Sequence, residues 1–141
     1  MKKFLRKVFK FESGATRHAF PFGKIVVKIP RHTNIREGLK ANLVERETYL
    51  HSESKKLLAP TYWVGLFGMF LVQKRVKILT TIQFQDSILC NGDLLIDMYR
   101  ITADIRAENI GLEVNKERYV LVDFAMPPHS NPKRNRYGQQ N

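Results

Sequence analysis

Residues 104–125 read DIRAENIGLEVNKERYVLVDFA. Asp104 is followed in the same polar stretch by Asn109, and the apolar run YVLV then delivers Asp123. Asp and Asn in an ordinary turn serve local backbone hydrogen bonds and need no such order. A site for hard divalent cations and a phosphoryl group uses all three. Magnesium takes carboxylate, amide and phosphate oxygens, and phosphoryl transfer needs positioning and charge neutralisation more than covalent chemistry.

Upstream, LLIDMYRIT predicts an apolar helix carrying Leu94, Leu95, Met98 and Tyr99, with Asp93 as its N-cap. The stretch 77–92 carries few signals. TYWVGLFG and MFLVQKRV predict two strands, with Gly65 and Gly68 near the turn between them. Leu39, Leu43, Leu50 and Leu57 recur near helical spacing and predict a helix over 34–58, stopped by Ala59-Pro60. Earlier still, strands are expected over 17–20 and 25–29, with a turn at 21–23 and Pro30 ending the second. Downstream of Asn109, a turn at 113–117 leads to a strand over 119–122. Strand, strand, helix, strand, strand, helix, loop, strand is an α+β pattern.

At 141 residues the chain is expected to form one domain over 1–127, which includes a basic N-terminal element at 1–12, followed by a disordered basic tail at 128–141. A hydrophobic fraction of 43% excludes wholesale disorder. The single cysteine, Cys90, forms no internal disulfide and suits a reducing compartment, so the expected location is the cytoplasm. No apolar run approaches the roughly 20 residues of a membrane span, and MKKFLRKVFKFESG lacks the continuous apolar core of a signal peptide. The net charge of +11 gathers at the two ends and favours polyanions: nucleotide phosphates, acidic proteins, anionic lipid and, secondarily, nucleic acid. Phe4, Leu5, Val8 and Phe9 fall at helical spacing opposite the lysines, as in an ordinary terminal helix with one face packed.

Among the polar groups, Lys28 stands out inside IVVKI, because a buried ammonium is costly unless paired. The following helix offers Glu45 and Glu47. Two apart on a helix, they cannot both face Lys28. The four histidines are too scattered for a zinc site, and no Ser-His-Asp grouping is visible.

Taken in order, these residues resemble a protein-kinase-like domain of much reduced length, covering roughly residues 13–125. IVVK resembles the V-A-I-K strand, TADIRAENIG the catalytic loop H-R-D-L-x-x-x-N, VLVDFA the D-F-G element and MFLVQKRV the hinge. The resemblance implies an N-terminal antiparallel sheet with one long helix, a reduced C-terminal lobe, and ATP and Mg2+ as ligands. It implies Lys28 on the α- and β-phosphates, oriented by Glu45 or Glu47. The N-x-x-E spacing from Asn42 favours Glu45, and the nearby leucine stripe favours Glu47. It further implies Asp104 as the catalytic carboxylate, Arg106 near the γ-phosphate, and Asn109 and Asp123 as metal ligands. Gln73 takes the gatekeeper position, the backbone of Lys74, Arg75 and Val76 faces adenine, and Gly14 belongs to the nucleotide loop.

The departures carry weight too. SGATRHAF keeps Gly14 but lacks G-x-G-x-x-G, Thr102 replaces the histidine of the catalytic loop, and Ala125 replaces the glycine after D-F. The peptide-binding helices of a full kinase have no counterpart after Asp123. Another element must therefore cover helix 94–101: the stretch 77–92, the N-terminal helix, or a second copy in a homodimer. The expected function is transfer of the γ-phosphoryl group of Mg-ATP to a Ser/Thr hydroxyl of a protein. The alternatives are a small-molecule kinase of the aminoglycoside type and a non-catalytic pseudokinase or basic binding module.

Overall fold

The computed structural model describes residues 12–13 and 16–125. Gly14, the N-terminal helical stretch and the tail from Met126 lie outside the described residues. A five-stranded antiparallel sheet, in the order β1-β2-β3-β5-β4, is built from β1 (Glu12–Ser13), β2 (Arg17–Phe22), β3 (Ile25–Pro30), β4 (Thr61–Gly65) and β5 (Phe70–Lys74). Helix α1 (Ile35–His51) packs across it. Below sits a second, three-stranded sheet of β6 (Lys77–Ile78), β7 (Ile110–Glu113) and β8 (Arg118–Leu121). It is flanked by α2 (Thr81–Phe84), which runs on as a wider π-turn over Gln85–Leu89, and by α3 (Gly92–Tyr99). No helix among the described residues is long and apolar enough to cross a membrane.

Strands β2 and β3 pair from Arg17↔Pro30 to Phe22↔Ile25, so the turn is Gly23-Lys24 and not the expected 21–23. Gly23 takes φ 55°, which a two-residue hairpin turn needs and glycine adopts freely. Pro30 closes β3 from inside the strand. Helix α1 ends at His51, short of the expected residue 58, and Leu57 lies in a separate 3-10 turn at Lys55–Leu57.

The leucine stripe is not the buried face of α1. Leu43 and Leu50 are more than two-fifths exposed, whereas Gly38, Asn42 and Glu45 are buried. Alternation along the strands explains why. Arg17 lies opposite Pro30, two residues from Lys28, and Gln73 lies opposite both Val26 and Thr61. The period of two therefore puts Arg17, Lys28, Thr61 and Gln73 on one face of the sheet. All four are buried there. A helix covering that face must answer with polar side chains, because unpaired polar groups cost more than apolar contact returns. Gly38 gives the close approach: a Cβ there would stand 2.6 Å from Pro30 Cβ and 2.7 Å from the Thr16 carbonyl oxygen.

The apolar core lies in the lower part, where Leu58, Leu79, Ile88, Met98, Ile110, Leu121 and Phe124 form one cluster. Leu79, Ile88 and Phe84, all from the stretch that carried few signals, thus help cover α3, while Ile96 and Tyr99 stay about half exposed. Asn91, not Asp93, caps α3, accepting from the Leu94 N–H at 3.1 Å. The two parts are joined by Ala59 N–H to the Leu121 carbonyl at 2.8 Å and by buried Glu113, which takes Lys74 from β5 and Arg118 from β8. Burial pushes the Glu113 carboxyl up, but the hydrogen bonds from Lys74 and Arg118 outweigh it and hold it below the usual range.

Candidate active site

The polar layer between the sheet and α1 is one connected network. Lys28 Nζ donates to Glu45 Oε1 at 2.5 Å and to the carbonyl of Val122, the residue before Asp123. Glu45, with no exposure, also accepts from Arg17 at 2.6 Å and Gln73 at 3.0 Å. Arg17 reaches Asn42 Oδ1 with the same nitrogen at 3.0 Å and, with its other, Asp123 Oδ1 at 2.8 Å. Asn42 donates in turn to the Gly68 carbonyl at 2.7 Å and the Lys28 carbonyl at 3.2 Å, pinning α1 to β3.

Four charges balance in pairs here. Burial pulls the Lys28 ammonium below its ordinary value, only partly offset by Glu45, and neighbouring Arg17 adds to the fall. For Arg17 the same burial penalty is outweighed by Glu45 and then Asp123, and its pKa is raised. Burial pushes Asp123 up, yet Lys28 and then Arg17 hold it below the usual carboxylate range. Its side chain is 44% exposed, so solvent screens part of that attraction.

The loop before β7 meets this network through the backbone. The Val122 N–H donates to the Asn109 carbonyl at 2.9 Å, and Asn109 Nδ2 donates to the Asp104 carbonyl at 3.1 Å. Those bonds fix the amide of Asn109, which is 5% exposed, while its Oδ1 accepts no bond from the described residues. Thr102, fully buried, accepts the Asp104 N–H on Oγ1 at 3.3 Å and so ties down the start of the loop. Arg106 grips both oxygens of Asp104, at 2.7 Å and 3.0 Å, and also reaches Glu108.

Glu45, then, is the partner of Lys28. Glu47 lies on the outer face of α1, 66% exposed, and pairs with His51, so it is no part of the site. Gln73 faces inward to Glu45 and Thr61. Lys74 sends its side chain to Glu113 and its N–H to the Pro60 carbonyl at 2.7 Å, while Val76 packs on Gly111, where a Cβ would meet it at 2.2 Å. Arg17 was missed. Its identity carries no motif, and only the β2–β3 register places it beside Lys28. Strand β7 was missed as well, since IGLE is too short to declare a period.

Among the described residues no three His, Cys, Asp or Glu side chains gather as a metal cage. Asn109 Oδ1 and the exposed side of Asp123 still fit magnesium, which uses one or two protein oxygens and completes its shell with water and phosphate. A cavity of about 340 Å3 opens on another face of α1, lined by Val44, Thr48, His51, Arg100, Ile101 and Phe124, none of them a predicted site residue.

No family model matches the chain, and no curated protein matches it in sequence. Solved structures do. One is the bifunctional kinase-methyltransferase WbdD, at 16% identity and TM-score 0.50, over 78% of this chain and 29% of that one. WbdD bound to a kinase inhibitor matches at 17% and 0.50 over 88% and 34%, and a higher-resolution WbdD structure at 16% and 0.51 over 82% and 31%. The chain thus spans about a third of the length of these neighbours. The fold is α+β and, in coarse outline, kinase-like.

Proposed function

We propose that this chain binds Mg-ATP between the five-stranded sheet and the 104–123 region and transfers the γ-phosphoryl group to a Ser/Thr hydroxyl of a protein. The observation that carries this reading is the buried Lys28–Glu45 pair, tied through Val122 to Asp123 and Asn109. Burying two charges is costly, and a pair of apolar residues would hold helix to sheet as well. An ammonium kept there beside an exposed carboxylate therefore favours a role in ligand binding.

In this reading Lys28 contacts the α- and β-phosphates, and Glu45 fixes its direction. Gln73 and the backbone of Lys74, Arg75 and Val76 line the adenine side. Asn109 and Asp123 hold magnesium, which would neutralise charge on the phosphates. Asp104 orients the acceptor hydroxyl, and Arg106 holds Asp104 in place and faces the γ-phosphate. The basic surface favours an acidic protein acceptor.

A thermal melt with and without magnesium and ATP tests the reading in wild type and Asp123→Asn. Ligand at 100 times its dissociation constant adds about 2.7 kcal/mol, a shift of several degrees. The expected result is a magnesium-dependent shift that Asp123→Asn removes. No shift in wild type would sink the nucleotide reading. A non-catalytic binder is favoured by one observation, the hold of Arg17 on Asp123. Asp104→Asn separates the two readings, because it abolishes phosphoryl transfer in an enzyme and leaves a binder's function intact.

A further inference from the structure

Arg17 is the cation of this network that the nucleotide reading leaves without a role. It is 7% exposed and bridges Glu45 and Asp123 from the first residue of β2, within the stretch SGATRHAF that resembles a nucleotide loop. With Lys28 it makes two positive charges against the two of Glu45 and Asp123, so the group is neutral as it stands. A divalent cation on Asp123 breaks that balance. The guanidinium 2.8 Å from Asp123 Oδ1 cannot relieve the repulsion by losing a proton. Its other carboxylate, Glu45, is already shared with Lys28.

We propose that Arg17 is a second phosphate-binding cation of this site, held on Asp123 until a divalent ion takes that carboxylate and then turned to the polyphosphate. The inference rests on the nucleotide reading above. Three things support it. Arg17 lies on the sheet face that carries Lys28, so both cations address the same space. A guanidinium fork matches phosphate oxygens in a bidentate way that an ammonium does not. The sequence also lacks the glycine run whose backbone amides cradle phosphates in kinases, and an arginine within that stretch supplies the missing donors.

The test measures two affinities on the full chain, for wild type, Arg17→Met and Arg17→Lys. One is for Mn2+ alone, by water-proton relaxation. The other is for Mg-ATP at saturating magnesium, by calorimetry. Arg17→Met is expected to bind Mn2+ about tenfold tighter and Mg-ATP about tenfold weaker, the scale of a close charge pair. A merely structural arginine moves both affinities the same way, and that result overturns the proposal, as does an unchanged pair.

Should Arg17→Met fail to fold, Arg17→Lys carries the test. A lysine keeps the charge but cannot span Asn42, Glu45 and Asp123 together. It is expected to hold Mn2+ tighter than wild type while keeping most ATP binding, and wild-type values for both would overturn the proposal. Wild type that binds neither Mn2+ nor Mg-ATP refutes the nucleotide reading and this inference together. Wild type that binds Mg-ATP while both variants behave like it refutes the Arg17 role alone.

Discussion

Glu45→Gln is the substitution whose cost the structure sets most sharply. Glu45 is fully buried and takes Lys28 at 2.5 Å, Arg17 at 2.6 Å and Gln73 at 3.0 Å. The glutamine is nearly isosteric, so shape is kept and charge is lost. Removing one member of a buried ion pair costs about 3–5 kcal/mol, because the other charge is stranded. Here one carboxylate serves two cations, which argues for the upper half of that range.

Two escapes limit the loss. Arg17 retains Asp123. Lys28 can shed its proton, since burial already lowers its pKa and Glu45 is the main influence raising it. About 4 kcal/mol at neutral pH follows, and for a domain of this size that lowers Tm by about 15 °C. The sign with pH is fixed by the protons. A native state with Lys28 neutral binds fewer than the unfolded chain, so stability rises with pH up to the ordinary lysine value of 10.5. The deficit of Glu45→Gln therefore shrinks between about pH 6 and about pH 9, measured by urea denaturation across that range. Glu47→Gln is the control, an exposed pair worth less than about 0.5 kcal/mol. A deficit under about 1 kcal/mol, or one flat with pH, would refute the account of Glu45 as the shared counter-charge.

Three further outcomes are expected. Wild type loses stability as acidification protonates Asp123 below its ordinary 3.8, because its folded pKa is depressed. Asp123→Asn shows a flatter acid limb in the same denaturation series, and parallel curves would count against the Arg17 and Lys28 contacts. Gly38→Ala, which in an exposed helix gains about 1 kcal/mol, here destabilises by about 1–3 kcal/mol, because its Cβ lands 2.6 Å from Pro30 and 2.7 Å from the Thr16 oxygen. A rise in Tm would refute that packing. Phe67→Gly raises stability by about 1 kcal/mol, since Phe67 sits at φ 56° with its side chain 92% exposed and so has left-handed strain to lose and little burial. A fall in Tm would show that the ring makes a contact the fold needs.

What the sequence disclosed follows from where each residue's chemistry is written. Asp104, Asn109 and Asp123 stand out as candidates because their order along one stretch is itself the signal, and Lys28 because an ammonium in a β-branched run contradicts its surroundings. The long helix was legible in existence, but its leucine spacing did not mark its buried face. Leucine spacing marks an apolar stripe only when the partner surface is apolar, and α1 faces a sheet whose buried side presents Arg17, Lys28, Thr61 and Gln73. The same fact decided between Glu45 and Glu47: the face carrying Asn42 and Glu45 was polar, and polarity was what the sheet required. Arg17 shows the limit most clearly. As a lone residue in SGATRHAF it looks like any basic strand residue, and it acquires meaning only when β2 pairs with β3 in a register that sets it beside Lys28. A charge network assembled from five separate elements has no local pattern to read. Its members are found by asking which buried cation still lacks a counter-charge once Lys28 and Glu45 are paired, and Arg17 answers that question through Asp123.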